Sequence, residues 1–164
     1  MNRHVISVLV DNESGVLSRV SGLFSRRGYN IDSLSVGETQ DSKLSRMTIV
    51  VRGDDKTLEQ IKKQLLKLVD VREVITLIPE SSVYRELMLV KVKTDADTRA
   101  AISGIVDIFR AKIIDVAPLS VTIEITGDES KIEAFVDLMR PYGIKELVRT
   151  GLTALKRGDS KIQA

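Results

Sequence analysis

Short apolar runs and amphipathic stretches alternate along the first half of the chain. Residues 5–10 form a β-branched apolar run, which is typical of a buried strand. The next stretch has apolar residues at helical spacing: Val16, Leu17, Val20, Leu23 and Phe24. Strands follow at 31–36, 47–51 and 71–78. A second amphipathic helix lies before the last of them, so the predicted order is βαββαβ.

The same order recurs after residues 79–82, a Pro- and Ser-containing segment that is predicted to be a linker. Strands at 87–92, 113–116, 121–125 and 144–148 alternate with two amphipathic helices, although the two halves share no obvious residues. The sequence therefore predicts an α+β fold with two ferredoxin-like split-βαβ sandwiches, at residues 1–79 and 80–164. The charged tail from Lys156 is expected to fray.

A small sandwich of this kind leaves one sheet face and one edge strand poorly covered. Pairing with a second copy, sheet edge to sheet edge or helix to helix, would cover both. The sequence therefore predicts at least a homodimer.

Composition argues against several classes of function. The 164 residues carry a net charge of +2 and are only 4% aromatic, without Trp, so nucleic acid is not an expected partner. The absence of Cys excludes disulfides, cysteine–zinc sites and thiol nucleophiles, and it fits a cytoplasmic location. The apolar runs are too short to cross a bilayer, and no signal-peptide pattern opens the chain, so no membrane partner is expected.

Candidate catalytic groups are sparse. The single histidine, His4, lies near the amino terminus, where an exposed structural role is the simpler interpretation. Neither glycine-rich phosphate-binding motif occurs, and nothing resembles a metal cluster. We therefore expect no catalytic residues, no metal site and no cofactor bound by this chain.

The turn that enters the first helix is the best candidate for a binding site. A helix start exposes unpaired N–H groups and attracts carboxylates, and Gly15 lets a ligand approach the backbone. The Asn12 amide can both donate and accept hydrogen bonds. Together these features suit a free amino acid, with its carboxylate near Gly15, Val16 and Leu17. A plain helix-cap turn explains the same residues, and the turn by itself favours that simpler interpretation.

Residues 11–20 and 23–36 resemble the amino-terminal ACT domain of the acetolactate synthase (acetohydroxyacid synthase) small-subunit family. The resemblance continues at 44–48, and it reaches the carboxy-terminal half of the family at 86–92 and 108–116. It therefore implies an effector-binding, dimerising ACT domain at residues 1–79. A second ferredoxin-like domain of the regulatory subunit would occupy residues 80–164.

The resemblance implies a regulatory subunit that is not an enzyme by itself. Members of this family bind a catalytic large subunit that uses thiamine diphosphate, Mg²⁺ and FAD to condense pyruvate with pyruvate or 2-oxobutyrate. They raise its activity and confer feedback inhibition, typically by valine. The reaction opens the biosynthesis of valine, leucine and isoleucine.

The resemblance also implies where the effector binds, which is between the ACT domains of two protomers. Turn and helix-start residues come from one chain, and an Asn-Ile pair comes from the other. In this sequence the implied effector-binding residues are Asn12, Gly15, Val16 and Leu17, facing Asn30 and Ile31. The family often has Pro where this chain has Ser42, and we expect this departure to leave the site untouched.

Three other functions are compatible with a βαββαβ chain. One is a stand-alone ACT-type amino-acid sensor, and another is an enzyme built on this fold. A third is an RNA-binding module of the RRM type, which needs aromatic rings on its central strands. The central strands here carry Ile6, Val8, Met47 and Ile49 instead, which disfavours RNA binding.

Overall fold

The computed structural model describes residues 2–159 and divides the chain into two compact units. The first unit runs to Tyr84 and takes in the chain again from Leu152, and the second is Arg85–Gly151. This division differs from the predicted one at residues 79 and 80. The predicted linker is a short 3₁₀ helix, Pro79–Ser81, followed directly by a strand that begins at Ser82.

The first unit has the predicted βαββαβ order. Its elements are β1 (Asn2–Asp11), α1 (Val16–Arg26), β2 (Ile31–Glu38), β3 (Leu44–Gly53), α2 (Asp55–Leu66) and β4 (Val71–Leu77). All neighbours in the sheet are antiparallel, and the strand order is β2-β3-β1-β4. This is the split-βαβ sandwich that the hydrophobic pattern predicts, with β2 and β4 at the edges.

Helix α1 ends in a hydrogen-bonded turn that fixes the start of β2. Gly28 has φ +71°, a left-handed conformation that suits glycine. The Tyr29 N–H donates to the Phe24 carbonyl (3.0 Å) and the Gly28 N–H to that of Ser25 (3.2 Å), which is the Schellman pattern. The rings of Phe24 and Tyr29 pack edge to face, 6.4 Å apart. The chain therefore leaves the helix in a defined direction at Asn30.

The main core of the first unit lies between its sheet and its two helices. Alternate residues of β1 and β3 face the helices, because side chains alternate along a strand. The buried residues of this core are Ile6, Val8, Val10, Val16, Val20, Leu23, Phe24, Met47, Ile49, Val51, Leu58, Ile61 and Leu65. The helical spacing read from the sequence is thereby confirmed for most of α1.

The opposite face of this sheet is partly covered by a carboxy-terminal strap, which we define as residues 152–157. Its Leu152 and Ala154 pack with Val5, Val50 and Leu77, and all five are buried. This part of the sheet face therefore does not need a second copy to cover it, contrary to the prediction.

Hydrogen bonds hold the strap in place. The Leu152 N–H donates to Ser33 Oγ (2.8 Å), and the Ser35 hydroxyl donates to the Leu152 carbonyl (2.9 Å). A short strand, β9 (Thr153–Lys156), follows in the strap and pairs with β5 (Ser82–Lys93). The prediction that the tail frays from Lys156 is therefore wrong as far as Arg157, whose N–H donates to the Ser81 carbonyl (2.8 Å). Residues 160–164 lie outside the described part.

The second unit repeats the architecture. After β5 come α3 (Arg99–Ile108), β6 (Lys112–Ala117), β7 (Ser120–Gly127), α4 (Glu129–Met139) and β8 (Ile144–Arg149), and the strand order is β6-β7-β5-β8. Its core lies between the sheet and the helices, where Phe109 and Phe135 pack edge to face at 5.4 Å. The predicted α+β class with two ferredoxin-like sandwiches is confirmed. None of the helices within residues 2–159 has both the length and the apolarity needed to span a bilayer.

Candidate functional site

The turn between β1 and α1 is tied to the loop between β2 and β3. The Asn12 N–H donates to the Lys43 carbonyl (2.8 Å), and the Asn12 side-chain amide donates to the Ser42 carbonyl (2.9 Å). The β1–β3 register explains this contact, since Asp11 pairs with Leu44 at the end of the loop. The contact uses the backbone carbonyl of Ser42, which a proline at that position would also have, so the expectation that this departure leaves the site untouched stays a prediction.

The start of α1 leaves backbone donors unpaired. Gly15 is the N-cap residue with φ +86°, and it has no side chain to cap the helix. The N–H groups of Leu17 and Ser18 donate to no acceptor in residues 2–159. By contrast, α2 and α4 are capped by the carboxylates of Asp54 and Asp128, whose pKa values are lowered by the backbone N–H groups they accept from.

Two ion pairs flank this turn, and sequence analysis missed both. Arg19, in the first turn of α1, places its Nε 2.6 Å from Asp70 Oδ2, and Arg72 places its Nε 2.7 Å from Asp11 Oδ1. The hydrogen bond that Arg19 donates to Asp70 is the main cause that raises the pKa of Arg19, and the one that Arg72 donates to Asp11 raises the pKa of Arg72. The sequence held one sign of such a pair: Arg19 is a cation in the first turn of a helix, where it opposes the helix dipole and needs a nearby anion.

The predicted turn residues are brought together, but their side chains have different roles. Val16 is buried in the core at 3% exposure, so only its backbone faces the turn. Leu17 is 47% exposed beside the unpaired N–H groups. The Asn12 amide already donates to the β2–β3 loop, which leaves its carbonyl oxygen as the acceptor for a ligand.

Asn30 and Ile31 lie at the other end of α1. The helix has eleven residues, which makes it about 16 Å long. Asn30 is exposed and donates to Asp32 Oδ1 (2.9 Å), while Ile31 packs at the margin of the core. One chain therefore does not unite the two predicted groups of site residues, and a site made from both groups needs a second chain.

Other chemistry finds little support among the described residues. Within residues 2–159 there is no group of three or more His, Asp or Glu side chains suited to a metal ion. His4 is half-buried in β1 and its Nε2 lies 3.1 Å from the Gly53 carbonyl oxygen, so it is not simply an exposed terminal residue.

An RNA-binding surface of the RRM type is also disfavoured, although not by the residues first considered. Ile6, Val8, Met47 and Ile49 face the helices and belong to the core. The central strands present a different set to the opposite face, including Val5 paired with Val50 and Ser7 paired with Thr48. None of these is aromatic, and Val5 and Val50 are buried under the carboxy-terminal strap.

Comparison with known families agrees with this architecture. Residues 6–73 match the AHAS small subunit-like ACT domain. The first unit is therefore an ACT domain, and the glycine turn with α1 lies inside the matched range. Residues 85–158 match the family described as small subunit of acetolactate synthase.

Relatives over the whole chain identify the family. The probable acetolactate synthase small subunit of Archaeoglobus fulgidus is 57% identical over 159 residues, which cover 97% of this chain and 99% of the relative. The acetolactate synthase small subunit of Mycolicibacterium smegmatis is 50% identical over 161 residues, 98% of this chain and 95% of the relative. The chain belongs to the acetolactate synthase small-subunit family, which confirms the resemblance read from the sequence.

A solved structure supports the same assignment. The crystal structure of the acetolactate synthase small subunit from Thermotoga maritima superimposes with a TM-score of 0.89 at 47% sequence identity. The match covers 98% of this chain and 100% of that one.

Proposed function

We propose that this chain is the regulatory subunit of an acetolactate synthase holoenzyme. In this proposal it binds a catalytic large subunit that carries thiamine diphosphate, Mg²⁺ and FAD, and it raises the activity of that subunit. It also confers feedback inhibition by a branched-chain amino acid, with valine the first candidate. The observation that carries the proposal is the relationship to small subunits over both units of the chain.

The chemistry of the turn supports an amino acid as the effector. The unpaired N–H groups of Leu17 and Ser18, at the positive end of α1, suit a carboxylate. The carbonyl oxygen of Asn12 suits an ammonium group. The half-exposed side chain of Leu17 offers apolar contact to an aliphatic side chain. Valine, leucine and isoleucine each combine these three features.

The second half of the effector site is proposed to come from a partner protomer. Asn30 and Ile31 lie about 16 Å from the turn along α1, which is too far to contact the same small ligand. A homodimer that pairs the two ACT domains would bring one chain's helix start to the other chain's Asn30. Each dimer would then hold two equivalent sites.

The route from the effector to the catalytic subunit is proposed to begin at Asn12. Its side chain and backbone hold the loop of residues 39–43 through two hydrogen bonds. An effector that binds the same turn would favour one arrangement of this loop over another. Inhibition then follows because the effector stabilises the arrangement in which the holoenzyme is less active.

Reconstitution tests the regulatory role. The chain is co-purified with the catalytic subunit, and acetolactate formation is measured while valine, leucine and isoleucine are titrated. The proposal expects the complex to be more active than the catalytic subunit alone and to be inhibited by at least one of the three. Amino-acid binding with no effect on the catalytic subunit would instead indicate a stand-alone sensor. Acetolactate production by the chain without a partner would indicate an enzyme.

A complementation experiment tests the shared site. The variants Asn12→Ala and Asn30→Ala are each expected to lose tight valine binding as homodimers. In a mixed dimer of the two, one site carries both substitutions and the other carries neither. The mixed dimer should therefore recover tight binding at one site, half the wild-type capacity. No recovery in a purified mixed dimer would contradict a site built from two chains.

A further inference from the structure

The side chain of Arg19 lies over the glycine of the candidate site. A Cβ atom added to Gly15 would lie 3.0 Å from Arg19 Nη1, so the guanidinium and the glycine backbone are in close approach. Arg19 is held there from its other side, because its Nε–H donates to Asp70 at 2.6 Å. The Asp70 side chain is 9% exposed, whereas that of Arg19 is 48% exposed. A buried carboxylate thus fixes a half-exposed cation above the turn.

Most of the donors on Arg19 remain unused. A guanidinium has five N–H groups and no acceptor. One of the five serves Asp70, and the two terminal nitrogens of Arg19 donate to no group within residues 2–159. Two neighbouring N–H donors of a guanidinium match the two oxygens of a carboxylate, which makes a short and directional contact.

The position of this cation is unfavourable unless an anion is nearby. Arg19 lies in the first turn of α1, where the positive end of the helix dipole opposes it. No acidic residue lies in that first turn. Asp70 compensates Arg19 on one side and the nearby charge of Glu13 adds a weaker attraction, while the side over Gly15 adjoins the unpaired N–H groups of Leu17 and Ser18. Two sources of positive potential therefore converge on the same space.

We infer that Arg19 is the side-chain ligand of the effector's carboxylate and that Asp70 is its positioning residue. This inference rests on the proposed function and assigns the ligand's orientation within that site. The carboxylate lies beside Gly15, where it accepts from the terminal nitrogens of Arg19 and from the N–H groups of Leu17 and Ser18, and the ammonium group points away from the guanidinium towards the Asn12 carbonyl oxygen. The site then selects ligands with a free carboxylate, and an amide or alcohol analogue binds weakly.

Calorimetric titration of the full-length chain, alone and with the catalytic subunit, tests this assignment. The protein is wild type or Arg19→Gln, and the probes are valine and valinamide, which has a neutral amide in place of the carboxylate. Arg19→Gln should weaken valine binding by about ten- to a hundred-fold, the range of lost hydrogen bonds to a charged group. Wild type should bind valinamide at least about ten-fold more weakly than valine, and the substitution should remove most of that preference.

Arg72→Gln is the matched control. Arg72 is also paired with a single carboxylate beside the turn, and it is 54% exposed, but nothing places it over Gly15. Its loss removes the same charge, so it should change the dissociation constant for valine by no more than about two-fold, since solvent and salt screen exposed charges. Arg19→Lys keeps the charge without the planar fork and should fall between wild type and Arg19→Gln.

The outcomes separate this inference from the function it rests on. Thermal melting shows whether Arg19→Gln is folded. If it is not, Arg19→Lys is compared with wild type instead, because this variant retains a cation for Asp70. If the dissociation constant of Arg19→Gln for valine is within two-fold of the wild-type value, only the assignment of Arg19 is overturned, and the proposed function stands. Equal wild-type affinity for valine and valinamide overturns it as well. If neither the wild-type chain nor its complex with the catalytic subunit binds any branched-chain amino acid, the proposed effector site itself is overturned.

Discussion

Replacing Gly15 by Asp introduces a carboxylate at the point where the effector's own carboxylate is proposed to bind. The backbone there has φ +86°, and a new side chain starts 3.0 Å from Arg19 Nη1. That atom is the far end of a flexible side chain, so it can shift by a few tenths of an ångström. The substituted carboxylate then lies within reach of Arg19 and of the N–H groups of Leu17 and Ser18.

The expected magnitudes follow from this geometry. A non-glycine residue in the left-handed region costs roughly 1–2 kcal/mol, so the melting temperature should fall by roughly 2–8 °C in a chain of this size. The built-in carboxylate occupies hydrogen-bond donors worth ~1.5–3 kcal/mol to a charged ligand, which corresponds to a loss of roughly 10- to 150-fold in valine affinity. The fold therefore survives while tight valine binding does not.

The assay is calorimetric titration of valine, together with valine inhibition of the reconstituted holoenzyme. Gly15→Asn is the matched control, because Asn has nearly the shape of Asp and tolerates the same backbone region but carries no charge. The difference between the two variants isolates the carboxylate. Gly158→Asp, with φ +77° and no atom near its added Cβ, controls for strain and charge elsewhere. Equal valine affinity in wild type and Gly15→Asp, with the fold intact, would refute the proposed position of the ligand.

Three further predictions concern Asn12 of the same turn, the carboxy-terminal strap and the cap of α4. Asn12→Ala should weaken valine binding by ~1.5–3 kcal/mol, and an unchanged dissociation constant in calorimetry would remove Asn12 from the site. Leu152→Ala, at a position that is 2% exposed, should lower the free energy of unfolding by about 2–5 kcal/mol, whereas Leu155→Ala at 57% exposure should change it little; urea titration measures both. Asp128→Ala removes the cap of α4 and should cost about 1 kcal/mol at pH 7. Because the backbone hydrogen bond from Lys131 holds the pKa of Asp128 below its ordinary 3.8, this contribution is fully present above pH 3.8 and is lost as pH falls through the lowered pKa. Urea titrations at pH 7 and at the lowest pH where the fold persists should therefore show a smaller difference from wild type in acid, and an equal difference at both would contradict the reasoning.

The arrangement of helices and strands was largely predictable because burial imposes a period on each element. The buried residues Val16, Val20, Leu23 and Phe24 recur at helical spacing, and a single helix face is enough to reveal them. The glycine at position 28 also marked the end of α1, since only a residue without a Cβ enters that conformation easily. These signals are local, so one sequence is sufficient to detect them.

The carboxy-terminal strap escaped prediction because its partners are distant in sequence. Strand β9 has four residues, too few to display a period, and it pairs with β5 about seventy residues earlier. Leu152 is held by Ser33 and Ser35, which lie on an edge strand more than a hundred residues away. Nothing local distinguishes these serines from ordinary surface residues.

The position of the turn that forms the candidate site was predictable from the sequence, but the ion pairs and side-chain hydrogen bonds around it were not. Gly15 at the start of an amphipathic helix indicated the turn from sequence alone. The pairing of Arg19 with Asp70 joins residues 51 positions apart, and that of Asn12 with Ser42 joins residues 30 apart. Each pair exists only because the antiparallel sheet brings the α2–β4 connection and the β2–β3 loop to the same end of α1. Such contacts depend on which residues of neighbouring strands are paired. Hydrophobic periodicity predicts the strands but does not determine this pairing register.

Backbone amide shifts report where on the chain the effector binds. Valine is titrated into the full-length chain labelled with ¹⁵N, and the amide signals are followed to saturation. We expect the largest changes on the amides of Gly15, Leu17 and Ser18, with a second group at Asn30 and Ile31. Saturable changes confined to residues of the second unit, or none with any branched-chain amino acid, would contradict it.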